Sequence, residues 1–348
     1  MKMQDLMLKF PHLPEQIFQK LGNECLFKCR EVAKSWQDII DDRNYPWLRI
    51  VVIPSILKKG NRYLHLAART GQIKTFRTAF SEENEKNIKN ENGQTSFHIA
   101  CRHGSIQIVQ FLLINADSEI NFNTKDNPCN DLNAKTKSGN TALHLATRKG
   151  HSDVIKILME NAAAFSIDLN AKGPLGATAF TWACFDGQTD VVKVFMENAA
   201  TYGIDLNAKD DEGKTAIQYA RDLPVVKIFM QNAEALNIDL NNANSKFGWT
   251  AFHRACCMGR LDVVKSFMEN AATLNINLNV EDLNGMTPFH LACHNGKSDV
   301  VKIFLEKAAF LNIDLNIKAL RTQYDNMDYR QKSTSSLKRI EKLLKQEL

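Results

Sequence analysis

The 348-residue sequence has no strong excess of either charge sign, no long apolar run and none of the common catalytic motifs. Its 44 basic and 39 acidic residues leave a formal net charge of +5. That is far short of the basic surplus usual in nucleic-acid-binding domains, so nucleic acid is not an expected partner. No stretch approaches the roughly 20 apolar residues that cross a bilayer. The opening MKMQDLMLKFPHLPEQ also lacks the apolar core and small-residue cleavage site of a secretory leader. The expected setting is intracellular, cytoplasmic or nuclear, with no membrane partner. Neither G-x-x-x-x-G-K-[S/T], G-x-S-x-G nor H-E-x-x-H occurs. The eight cysteines and nine histidines show no metal-ligand spacing, and Cys25 and Cys29, without a second pair, read as packing thiols. An enzyme, a metal site and a bound cofactor are therefore not expected.

What the chain does contain is a period. With 44% hydrophobic and 24% charged residues it is globular in composition. An octapeptide recurs in it: Gly93-Gln-Thr-Ser-Phe-His-Ile-Ala100, Gly139-Asn-Thr-Ala-Leu-His-Leu-Ala146 and Gly285-Met-Thr-Pro-Phe-His-Leu-Ala292 are three copies. The turn glycines are Gly60, Gly93, Gly139, Gly176, Gly213, Gly248 and Gly285. The Thr suits the N-cap of a short helix, and its hydroxyl is within reach of the His one turn later. An inner glycine (Gly71, Gly104, Gly150, Gly187, Gly259, Gly296) then ends that helix. Asp-Val-Val-Lys-x-[Phe/Leu]-[Met/Leu] follows with the apolar spacing of a second helix. His65, His98, His144, His253 and His290 all occupy the T-x-x-H slot, which assigns them to structure.

These residues resemble the ankyrin repeat. The resemblance implies an all-α fold, an ankyrin-repeat solenoid of about seven helix-turn-helix repeats over residues 58–317, in which each unit buries its apolar face against the next. The pattern departs from the family in places. Segments of the form N-A-A-x-x-x-I-D-L-N (161–170, 198–207, 270–279) lengthen the outer edge, and residues 121–133 form an insertion around Pro128. The Gly213 copy lacks its inner glycine and carries Pro224, so it is expected to be the weakest unit. Residues 318–348, with eight basic and four acidic residues, form a polar tail whose Leu337, Ile340, Leu343 and Leu344 suit a capping helix.

Residues 8–50 are not a repeat. The segment Leu13-Pro14-Glu-Gln-Ile17-Phe-Gln-Lys-Leu21, then Leu26 and Cys29-Arg30-Glu-Val32-Ala-Lys-Ser-Trp36-Gln-Asp-Ile39-Ile40, resembles the F-box, a small three-helix module. The resemblance implies that Leu13, Pro14, Ile17, Leu21, Leu26, Val32, Trp36 and Ile40 dock onto a Skp-type adaptor and, through it, a cullin ubiquitin ligase. The protein would then be a substrate adaptor, monomeric apart from its partners. The alternative is a scaffold whose N-terminal helices only cap the solenoid.

In ankyrin-like units the turn tips and the exposed end of the first helix line the concave face. Early copies are polar or basic there, with Asn92, Gln94, Arg102, His103, Lys137, Arg148 and Lys149. Later copies turn apolar, with Leu175, Phe185, Phe247, Trp249, Met258, Leu283 and Met286. The expected target protein puts an apolar anchor on the last copies and an acidic portion on the first.

Overall fold

The computed structural model describes residues 63–82, 88–115 and 131–316. The F-box-like residues, Gly60, most of the insertion and the tail fall outside them. The described residues hold fourteen α-helices in seven antiparallel pairs and one short 3-10 helix at Pro174–Gly176, with no strand among them. The pairs are α1 (Tyr63–Thr70) with α2 (Ile73–Glu82), α3 (Ser96–His103) with α4 (Ile106–Ile114), and α5 (Ala142–Arg148) with α6 (Ser152–Glu160). Next come α7 (Ala179–Phe185) with α8 (Thr189–Tyr202) and α9 (Ala216–Tyr219) with α10 (Leu223–Asn232). The array ends with α11 (Ala251–Met258) and α12 (Leu261–Glu269), then α13 (Pro288–His294) and α14 (Ser298–Leu311). First helices pack on first helices and second helices on second helices, so the array has two layers. No helix among the described residues is long and apolar enough to cross a membrane.

Helices of four to fourteen residues are mostly too short to persist alone in water. Burial between the layers holds them. Phe180, Phe252 and Phe289 on first helices and Phe195, Phe229, Phe267 and Phe304 on second helices are almost completely buried. Each contributes about 1.5–3 kcal/mol of hydrophobic stabilisation. The cysteines Cys101, Cys184, Cys256 and Cys293 fill the small gaps of the same core, and burial pushes their thiols up, out of reactive range.

Three sets of polar bonds fix the stacking. In the first, the Thr hydroxyl meets His Nδ1 within a repeat, at 2.9 Å for Thr95–His98, 2.8 Å for Thr141–His144 and 2.9 Å for Thr250–His253. The same ring reaches a carbonyl of the next repeat through Nε2, with His98 at 2.8 Å from Ala134 O, His144 at 3.1 Å from Ala177 O and His253 at 3.2 Å from Met286 O, and His65 makes the equivalent contact with Gln94 O at 2.8 Å. A carbonyl only accepts, so Nε2 carries the proton and the Thr hydroxyl donates to Nδ1.

In the second set, the outer edge carries an asparagine ladder. Asn170 donates from Nδ2 to Gly203 O at 2.8 Å and accepts the Asp205 N–H at Oδ1 at 2.8 Å. Asn133, Asn207, Asn241 and Asn279 repeat this pair of bonds. These are the asparagines closing the I-D-L-N segments and their counterparts, so the lengthened edge is a bonded seam. Part of the lengthening is helical, since α8 and α14 run to fourteen residues.

In the third set, the turn tips bond to one another. The N–H groups of Lys137, Asp211, Ser245 and Leu283 donate to the carbonyls of Asn92, Leu175, Glu212 and Phe247 at 2.9–3.1 Å. Gly93 and Gly248 make room for this approach: at φ +71° and +73°, a Cβ would lie 2.8 Å from Lys137 N and 2.9 Å from Leu283 N. The rung between the third and fourth repeats is absent because the corresponding residue is Pro174, which has no N–H.

The Gly213 repeat keeps its stacking by substitution. Gln218 stands in the His slot, and its Nε2 donates to Asn242 O at 2.7 Å and Trp249 O at 2.6 Å. Its first helix, α9, has only four residues. Two outcomes are expected. Hydrogen exchange should show residues 213–235 opening before the neighbouring repeats; equal protection would refute the weakness of this unit.

The second concerns pH. Burial depresses the pKa of His98 to about 4. In the unfolded chain the ring takes its proton near 6.5, so acid favours unfolding. The stability is complete above about pH 6.5 and is lost as pH falls towards 4, by roughly 3 kcal/mol at that point. His98→Gln, copying the Gln218 solution, should flatten thermal stability between pH 7 and 4. A variant as acid-sensitive as the parent would contradict the neutral-ring assignment.

Candidate functional site

The face of the first-helix layer and the turn tips hold the groove residues named from the sequence. Leu175 is 72% exposed, Leu283 71%, Met258 52% and Phe247 41%. Arg148, Lys149 and His103 are also exposed, and Arg102 is half-buried. His103 is held below its ordinary pKa by desolvation and by the nearby charges of Arg69, Arg102, His151 and Lys149, which marks the early repeats as a cationic region.

Four of the groove residues are less free than expected. Gln94 is buried: its backbone N–H and its side-chain Oε1 both bond to the Asn90 side chain, so it builds its turn. Trp249 is half-buried, packs against Phe247 with ring centroids 5.5 Å apart and planes tilted by 39°, and donates from Nε1 to an Asp282 carboxylate oxygen at 2.9 Å. Phe185 and Met286 are half-buried as well. Only Trp249 is tied to a neighbouring turn, whereas Gln94 bonds within its own turn and Phe185 packs on Trp182 and Tyr219.

A column of residues that the octapeptide reading passed over completes the face. Four positions after the capping Thr, the second, third and seventh repeats carry a buried aliphatic residue: Ile99, Leu145 and Leu291. The fourth, fifth and sixth repeats carry Trp182, Tyr219 and Arg254 there, all half-buried. The break in the column was visible in the aligned octapeptides. What it builds was not, because it depends on the neighbouring side chains.

Those neighbours form a run of rings and guanidinium groups. Arg148 lies over Trp182 at 4.8 Å, and Trp182 meets Phe185 edge-on at 5.6 Å. Phe185 carries Arg221 at 4.3 Å and meets Tyr219 at 5.8 Å, and Arg254 lies 5.4 Å over Tyr219. The Tyr219 hydroxyl donates to Asp210 at 2.5 Å, fixing the central ring and, with burial as the larger cause, raising its pKa.

Arg221 reaches this surface because its repeat is irregular. Six positions after the Thr, other repeats place the buried Cys101, Thr147, Cys184, Cys256 or Cys293. Here α9 stops at Tyr219, Ala220 leaves helical geometry at ψ 118°, and Arg221 is exposed.

Burial and then the charges of its neighbours lower the pKa of Arg254 and of Arg260. Arg221 acts on both, and Arg254 also acts on Arg260. Asp222 offsets part of this at Arg260, yet no carboxylate among the described residues pairs with Arg148, Arg221, Arg254 or Arg260. Arg254 Nε is buried without a hydrogen-bond partner. Beside it opens a pocket of about 200 Å3, walled by Lys214, Gln218, Phe247, Trp249, Arg254 and Met258. Among the described residues no group of three or more His, Cys, Asp or Glu side chains is placed to hold a metal ion.

The double role of Trp249 can be separated by substitution. Trp249→Phe keeps a ring against Phe247 and removes the Nε1–H bond to Asp282, so chemical denaturation should show a loss of about 1 kcal/mol. Phe247→Ala should cost less than half as much, its ring being partly in solvent. Equal costs would show that the ring contact, not the hydrogen bond, ties these two turns.

A family model described as "Ankyrin repeats (3 copies)" matches residues 64–172 and again residues 221–319. Among curated proteins, none matches the chain at a significant level. The stretch between the two matched segments holds Trp182 and Tyr219, two of the three residues that break the repeat's own column, and Phe185 between them. The matches together cover more than half of the chain and fall on helix pairs closed by Thr caps and bonded turn to turn, so the chain belongs to the ankyrin-repeat family, whose arrays are scaffolds for protein–protein interaction.

Proposed function

We propose that this protein is the substrate-recognition subunit of a Skp, cullin and F-box ubiquitin ligase, with the ankyrin array holding the target protein and residues 8–50 docking onto the adaptor. The observation that carries this reading is the run Cys29-Arg30-Glu-Val32-Ala-Lys-Ser-Trp36, with Leu13, Pro14, Ile17, Leu21 and Leu26 before it and Ile40 after it, ahead of an interaction array. About 40 residues bury too little surface to be stable alone, which favours a module completed by a partner. The chain performs no chemistry in this scheme. It raises the effective concentration of a target lysine near the conjugating enzyme.

On the array, Leu175, Phe247, Met258 and Leu283 suit an apolar anchor, and Arg102, His103, Arg148 and Lys149 suit acidic segments of the target. Family membership by itself also supports a plainer reading, a scaffold whose N-terminal helices serve only as a cap. Pulldown of a Skp-type adaptor with the full chain separates the two. Binding that is lost in Trp36→Ala and Val32→Asp, with the circular dichroism of the array unchanged, is the expected result. Absence of adaptor binding by the parent chain, or equal binding by both variants, would leave the scaffold reading in its place.

A further inference from the structure

We propose that the first-helix face of the third to sixth repeats receives a phosphorylated serine or threonine of an extended protein segment, held by Arg221, Arg254 and Arg260, with an apolar residue of the same segment in the pocket of Phe247, Trp249 and Met258. This deepens the target-binding reading of the array and rests on that reading, though not on the F-box assignment.

The first support is charge without compensation. Arg221 lies over Phe185 and Arg254 over Tyr219, two rings 5.8 Å apart, Arg260 donates from Nη1 to the carbonyl of Ala220 beside Arg221 at 3.4 Å, and none of the three pairs with a carboxylate among the described residues. Such a cluster is costly unless an anion occupies it. A phosphomonoester brings nearly two negative charges and three strong acceptor oxygens, whereas a carboxylate brings one charge and two oxygens, so the phosphate matches three cationic donors better.

The second is preorganisation. Arg221 is laid on Phe185, Arg254 on Tyr219 and Arg148 on Trp182, and the rings support one another edge to face. Guanidinium groups stacked in this way lose less side-chain freedom when they engage an anion. The stacking also bears on nucleic acid, because single strands bind such surfaces by laying bases on open aromatic faces. Here guanidinium groups already cover faces of Trp182, Phe185 and Tyr219, so the surface presents charge.

The third is the pocket. Arg254 belongs both to the arginine cluster and to the wall of the 200 Å3 pocket beside Trp249. Neighbouring helices are about 8–10 Å apart, and an extended segment advances about 3.3 Å per residue. The apolar residue is therefore expected about three positions from the phosphorylated one.

The test uses the full chain and bead-displayed degenerate peptide libraries with a fixed central phosphoserine, serine or aspartate, together with a 12-nucleotide oligouridine. At least tenfold greater retention of the protein on the phosphoserine library than on the serine library is expected, with an apolar residue enriched about three positions away. Arg221→Gln, at an exposed position, and Arg254→Gln should each lower that retention at least fivefold with the melting temperature unchanged. Trp249→Ala should erase the apolar selection and leave the phosphate dependence. Equal retention on phosphoserine and serine libraries with Trp249-dependent selection would overturn the phosphate site and leave target binding standing. Retention on none of the libraries would overturn both. Equal retention on the aspartate library would replace the site with one for acidic segments, and arginine-dependent capture of oligouridine alone would replace it with a nucleic-acid surface.

Discussion

One imidazole, used from both ends, holds this array together. In the second, third and sixth repeats the His ring accepts a hydrogen bond from the hydroxyl of the Thr that caps its own first helix and donates to a carbonyl of the next repeat. Local folding and stacking are thereby coupled through a single buried side chain: a helix that frays releases the next turn, and a repeat that detaches uncaps the helix behind it. The coupling needs a neutral ring, which burial enforces. It also tolerates exchange of the residue type as long as a donor and an acceptor survive at the right reach, as Gln218 demonstrates.

The least regular unit contributes most to the candidate site. Regular repeats spend their first-helix positions on the core, with Ile99, Leu145 and Leu291 buried and cysteines behind them. The four-residue helix of the fifth repeat releases Arg221 from a core position to the surface, and Tyr219 projects between two cations. A shortened helix weakens its repeat and at the same time builds what a full helix would have buried. Stability and the candidate site draw on the same few residues here, as expected where a local rule is broken inside a consistent fold.

Much of the architecture was legible before any coordinates. Thr, His and the two glycines act within a few residues of one another, so their spacing carried the helix pairs and caps directly. The asparagine seam and the tip ladder were not legible, because each partner lies some 30 or more residues away and only stacking brings them together. Within the site, exposure at Leu175 and Leu283 followed from their turn positions. Trp249 did not follow so simply, since its indole N–H is committed to Asp282, and Gln94 is drawn inward by Asn90. Arg221 was hidden for a different reason: an intact helix would place it in the cysteine slot, and only the early end of α9 brings it out.

Pro174 has a mechanical corollary. At the junction of the third and fourth repeats the outer asparagine seam is present through Asn133 and Asn170, while the rung between the turn tips is missing. Bending there is resisted unequally: the tips can part while the seam acts as the pivot. Arg148 stands on one side of this joint and Trp182 on the other, so the cation resting on the indole spans it. Whatever lies across these two residues also sets how far the joint opens, and with it the curvature that the two halves of the array present together.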